Sequence, residues 1–162
     1  KRSNRVLLAA SVQEEVGLRG AQTLVQHAKP EVAVILEGTP ADDTPGFNLD
    51  SPQGKLSEGV QIRMHDPSAI MHPALAELAI ETAEKEKIPH QLAMRRGGGT
   101  DAGRIHLAGE GVPCVVLGVP SRYIHSHNSI IDIADYRAMV DLGVALIKRL
   151  TARQAAKLVE YL

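Results

Sequence analysis

Hydrophobic positions alternate along this chain between short dense runs and helical stripes. Val6-Leu7-Leu8-Ala9-Ala10 lies inside a strand predicted over Arg5–Val12, with the length and bounding of a buried strand. A short helix is expected from Ala21 to His27 and a second strand from Val32 to Glu37. Gly38 to Gly59 carries three Pro and four Gly and reads as one long loop, a kind that is often functional. Val60–Met64 alternates, which predicts a strand with one wet face. Pro73–Lys87 is an amphipathic helix with Leu75, Leu78, Ala79 and Ala83 on one side. His90–Met94 reads as a strand, Gly97–Asp101 as a glycine-rich turn, Ala102–Ala108 as a helix and Pro113–Val119 as a strand. A polar loop, Arg122–Ser129, follows. Asp132 can cap a helix running to about Leu150, presenting Met139, Leu142, Val144, Leu146 and Ile147 to the core. Thr151 can cap a last helix to about Tyr161. This alternation predicts a single domain over residues 1–162: a three-layer α/β/α sandwich on a largely parallel mixed sheet.

Composition narrows the function more than the fold. One Phe, three Tyr and no Trp leave an aliphatic core and no platform for stacking sugars or bases. A net charge of -1 gives no basic field for nucleic acid. No apolar run is long enough to span a membrane, and no secretion signal is expected. The single cysteine, Cys114, reads as a small buried strand residue, consistent with a reducing compartment such as the cytoplasm. The opening Lys1-Arg2-Ser3-Asn4 enters a strand almost at once and holds no methionine, so the natural beginning is expected elsewhere.

The chemistry concentrates in Ser11-Val12-Gln13-Glu14-Glu15-Val16-Gly17-Leu18-Arg19-Gly20-Ala21. Adjacent carboxylates there follow a strand and precede a helix, where open α/β sheets place ligands. One reading is a solvated loop with two surface charges. The other is a carboxylate holding a cation while its neighbour handles a proton, because a buried carboxylate needs a partner. Glu37 ends the second expected strand and His125 follows the last. Carboxylate oxygen and imidazole nitrogen together suit zinc, cobalt or manganese.

Four motifs, in order, resemble one family: Gln13-Glu14-Glu15-Val16-Gly17-Leu18-Arg19-Gly20-Ala21, then Leu36-Glu37-Gly38-Thr39-Pro40-Ala41-Asp42-Asp43-Thr44-Pro45-Gly46, then Gly98-Gly99-Thr100-Asp101-Ala102, then Arg122-Tyr123-Ile124-His125-Ser126. They look like the tetrahedral, dinuclear metallo-aminopeptidases, a group that includes glutamyl, leucyl and deblocking aminopeptidases and members labelled cellulase M or endoglucanase. The resemblance, from about Arg5 to Leu150, implies a zinc-exopeptidase-like fold and two divalent ions, zinc or cobalt. It implies that Glu14 is the general base, that Glu15 and His125 ligate one ion, and that Glu37 ligates the other. It further implies peptide substrates, the cytoplasm, and a homo-oligomer, the tetrahedral dodecamer, in the full-length protein. Full-length relatives also carry an N-terminal half with a histidine ligand, a bridging aspartate and an inserted β-domain, none of which is in this sequence. An inactive fragment is therefore one alternative for the isolated chain. A glycoside hydrolase is another, disfavoured because adjacent Glu14 and Glu15 do not flank a bond across a cleft.

Gly99, Thr100 and Asp101 are substrate-pocket candidates, since glycines let a backbone approach a ligand; a tight turn capping the next helix explains them equally. Asp42 and Asp43 are expected to shape their loop, and Arg122 and Tyr123 to pack it. His127 is expected to be exposed. His65, His72, His90 and His106 read as ordinary histidines.

Overall fold

The computed structural model describes residues 4–46 and 54–160. Its elements are α1 (Arg19–Ala28), β1 (Ala33–Pro40), β2 (Val60–Asp66), β3 (Ala69–Ile70), α2 (Pro73–Glu86), β4 (His90–Met94), α3 (Ala102–Ile105), β5 (Cys114–Arg122), β6 (Ile130–Ile131), α4 (Ile133–Arg149) and α5 (Ala152–Lys157). The main sheet path is β1-β5-β2-β3, with β4 on β2 and β6 on β5. The two longest ladders, β1 with β5 and β2 with β4, are parallel; β2 meets β5 antiparallel. The sheet is therefore mixed, with its longest pairings parallel.

β5 shows why there are three layers. Val115, Leu117 and Val119 join one core with Leu75, Ala79 and Ala83 of α2 and Met139, Leu142 and Leu146 of α4. Cys114 and Val116 face the opposite way, into a second core with Ile35, Met71 and Ala102. A strand covered on both faces reads as a continuous apolar run, which Val112-Pro113-Cys114-Val115-Val116-Leu117 does. Burial pushes the Cys114 thiol up to about 12, and the thiol donates to the Val112 carbonyl at 3.2 Å, so it is inert.

Local chemistry fixes the helix ends. Pro73 opens α2, where its missing N–H costs nothing. Asp132 caps α4 by accepting from the Ala134 N–H, and Thr151 with Gln154 makes a reciprocal capping box on α5.

Several expectations are corrected. Arg5–Val12 forms no strand: Leu8 is 88% exposed, and Leu7 and Val12 are also exposed. Apolar composition made the segment strand-like, but a strand also needs a ladder partner. β1 continues past Glu37 to Pro40, so Glu37 sits within the strand instead of ending it. β2 has no wet face over Val60–Arg63, because Gln61 and Arg63 are buried as deeply as Val60 and Ile62. α3 stops at Ile105, and Val144 of α4 is exposed. The short pairings β3 and β6 carried no periodic signal. Of the long loop, residues 47–53 lie outside the described residues, as does the expected helix end at Tyr161.

Candidate active site

The Glu14-Glu15 loop is wound by its own backbone. Gly17 and Leu18 N–H donate to the Glu14 carbonyl, and Gly20 N–H donates to the Val12 carbonyl at 2.9 Å. Gly20 is required by close approach: a Cβ there would lie 2.2 Å from the Val12 oxygen. Gln13 and Leu18 both adopt left-handed φ, at 59° and 58°. Non-glycine residues hold that conformation only where their surroundings enforce it. The result is a tight coil that turns Glu14 and Glu15 out at the start of α1.

His125 comes from the far end of the sequence. It follows β5 on a turn where Tyr123 and His125 also have positive φ, 61° and 63°. The Ser126 hydroxyl ties that turn by donating toward the Tyr123 and Asn128 carbonyls at 2.6 Å. The turn delivers His125 Nε2 to 3.1 Å from Glu15 Oε2, with both side chains largely exposed. Two positions 110 residues apart thus touch.

Glu37 occupies the deeper side, on β1 beside Gly118 of β5. Its Oε1 lies 3.1 Å from Nη2 of Arg63, which is only 3% exposed. Nη1 of the same guanidinium reaches Asp66 Oδ2 at 3.1 Å. Burial raises the Glu37 carboxyl to about 8; Arg63 pulls it back down, while the charges of Glu14, Asp66 and Asp101 add to the rise. Arg63 cannot cancel the burial because it shares its charge with Asp66. Burial is also the first cause of a raised Glu14 pKa, followed by the charges of Glu15 and Asp101, with His125 and Arg63 opposing. Glu14, Glu15, Glu37, Asp101 and His125 therefore share one electrostatic neighbourhood.

The glycine-rich turn borders it. Asp101 Oδ2 accepts a hydrogen bond from the Ser11 hydroxyl, and Oδ1 is buried with no partner among the described residues. Thr100 is buried, and its hydroxyl accepts from the Ala102 N–H at 3.2 Å, so it builds the turn leading into α3. Gly99 and Gly103 leave room for Ser68: a Cβ on either would crowd its side chain. Among the described residues, no three His, Cys, Asp or Glu side chains converge tightly enough to hold a metal ion. The acidic loop before Gly46 behaves as expected: Arg122 grips Asp43 through two 2.8 Å hydrogen bonds, which push that carboxyl down to about 2, and Arg95 pairs with Asp42. His127 is exposed.

Sequence reasoning missed Arg63, Asp66 and Ser68. The alternation over Val60–Met64 predicts a wet face there, whereas Arg63 is buried. The available signal was an arginine in an apolar run with an aspartate three residues on.

The family description M42 glutamyl aminopeptidase matches residues 1–142. The chain belongs to the M42 aminopeptidase family. It is 39% identical over 156 residues to a glutamyl aminopeptidase of Lactococcus lactis subsp. cremoris, covering 96% of this chain and 42% of that one. It superposes on the TET aminopeptidase of a marine sediment Thaumarchaeota archaeon with a TM-score of 0.90 and 41% identity, covering 93% of this chain and 42% of that one. It also resembles the Pyrococcus horikoshii TET1 peptidase, described as assembling into a tetrahedron or a large octahedral shell, with a TM-score of 0.70 and 34% identity over 86% of this chain and 40% of that one. This M42 chain thus spans less than half the length of these relatives. Its fold is theirs, and the match favours the peptidase reading over the glycoside hydrolase reading.

Proposed function

We propose that this M42 chain contributes part of the active site of a metal-dependent aminopeptidase, which removes N-terminal residues from peptides. The observation that carries the reading is the meeting of Glu15 and His125 beside Glu14 and the half-buried Glu37. Two carboxylates and an imidazole are a donor set suited to zinc or cobalt. Asp101, whose buried Oδ1 has no partner among the described residues, adds negative charge near Glu14. Glu15 and His125 would hold one divalent ion and Glu37 a second, with further ligands supplied from outside this sequence. Such a pair of ions, when bound, supplies Lewis acidity toward the scissile carbonyl and acidity to water.

Glu14 carries the proton. Its pKa is raised by burial and by its acidic neighbours, which moves a carboxylate toward the range useful for general base work. It takes the proton from attacking water and returns it to the leaving amine. Its place next to Glu15 suits this division of labour, since adjacent side chains diverge. No described helix is long and apolar enough to cross a membrane. We place the whole protein in the cytoplasm as a homo-oligomer, the tetrahedral dodecamer, acting on free peptides.

The test uses the longest natural chain that contains this sequence. Hydrolysis of aminoacyl chromogenic substrates is expected to stop with a chelator and return with zinc or cobalt. Glu14→Gln is expected to keep its metal and to lower kcat by about 10²–10⁴-fold, the usual range for loss of a general base. Turnover that survives complete chelation would overturn the reading.

A further inference from the structure

We propose that Arg63 is a positioning residue for Glu37: its guanidinium holds Oε1 so that Oε2 is left for the cation, and Asp66 and Ser68 lock it to the glycine-rich turn. This rests on the reading of Glu37 as a metal ligand.

The structural chain is continuous. Arg63 is fixed at both ends of its fork, by Glu37 on Nη2 and by Asp66 on Nη1, each at 3.1 Å. Asp66 is itself held: its Oδ1 accepts from the Ser68 N–H at 2.8 Å, the Ser68 hydroxyl at 2.6 Å and the Ala69 N–H at 3.1 Å. Ser68 Oγ accepts from the Thr100 N–H at 3.4 Å. Gly99 and Gly103 leave it the room: a Cβ on Gly103 would sit 2.7 Å from both Ser68 Cβ and Oγ. The ends of this chain are therefore Glu37 on β1 and the turn before α3, joined through two buried ionic side chains.

A structural ion pair alone does not account for this arrangement. Arg63 and Asp66 already satisfy each other's charge, and neither needs Glu37 for that. What the third group gains is orientation. A carboxylate with one oxygen held 3.1 Å from a fixed guanidinium has its rotation restricted, so the other oxygen is biased toward one direction. Partners that orient a metal ligand from behind usually change metal affinity by about 10–100-fold. Lysine cannot replace the arginine, because an ammonium is a point charge without a fork that spans two carboxylates.

The experiment titrates cobalt into the metal-free form of the longest natural chain and records affinity and the visible cobalt spectrum. Arg63→Lys is expected to fold, to bind one of two cobalt ions about 10–100-fold more weakly, and to shift the spectrum of that ion. Ser68→Ala, which removes only the hydroxyl behind Asp66, is expected to weaken the same ion severalfold and keeps the test open if the lysine variant misfolds. Wild-type affinity and spectrum in whichever of these variants folds would overturn the proposal. Glu37→Ala separates the two levels. If it loses one cobalt while the Arg63 and Ser68 variants lose nothing, the positioning role fails and the ligand role stands. If it too binds both ions normally, the ligand reading itself fails.

Discussion

Glu15 and Glu37 are the same side chain placed at two depths, and the protein treats them differently. Glu15 stands on the rim, 70% exposed at its side chain, with His125 against it. Glu37 lies on the floor, 19% exposed at its side chain, with a buried arginine on one oxygen. On the rim, water screens each charge and the pair costs little to hold apart. On the floor, burial dominates, and it overrides even a guanidinium 3.1 Å away in setting the carboxyl's pKa. The fold thus holds Glu37 in place from behind, while it leaves Glu15 and His125 paired in solvent.

Removing the floor's charge should have the largest effect. Arg63→Met leaves the Asp66 carboxylate buried without its cation and takes the guanidinium away from the half-buried Glu37 carboxyl. The expected loss is about 3–5 kcal/mol, read as a fall in the urea unfolding midpoint of the metal-free protein. A loss below about 1 kcal/mol would mean the floor is wetter than its burial suggests.

The pH dependence is the next largest. Glu37 is raised in the folded state, from an ordinary 4.5 to about 8. Between those values the folded protein holds a proton that the unfolded chain releases. Glu37 therefore favours folding fully below about pH 4.5, and that contribution is lost as pH rises through 8, with a slope of up to about 1.4 kcal/mol per pH unit. Glu37→Gln should flatten the fall in metal-free stability between pH 5 and 8. Parallel stability curves for variant and wild type would contradict the raised pKa.

The rim should give the smallest effect. His125→Ala is expected to change metal-free stability by about 0–1 kcal/mol, the range for exposed pairs, while clearly lowering metal affinity. A large stability loss would erase the distinction between floor and rim.

The sequence was informative where one local signal decided the outcome. β5 was legible because a strand covered on both faces must be continuously apolar, and α4 and α5 because Asp132 and Thr151 are cap residues in the right place. The Arg5–Val12 segment misled because apolar composition cannot report a missing ladder partner. The rim was partly legible: Glu14, Glu15 and His125 stand in motifs, although their approach across 110 residues depends on left-handed turns at Gln13 and His125 that no side-chain pattern announces. The floor was legible only in Glu37. Arg63 looked like a surface residue in an alternating strand, and what buries it is the pairing of β2 with both β4 and β5, a long-range fact.

The central claim is that the rim pair and the floor carboxylate each hold a divalent ion in this M42 site. Anomalous diffraction at the zinc edge, from crystals of the longest natural chain grown with zinc, addresses it directly. The account predicts two peaks, one bonded to Glu15 and His125 and the other to Glu37. Zinc bound with none of these three side chains among its ligands would contradict it.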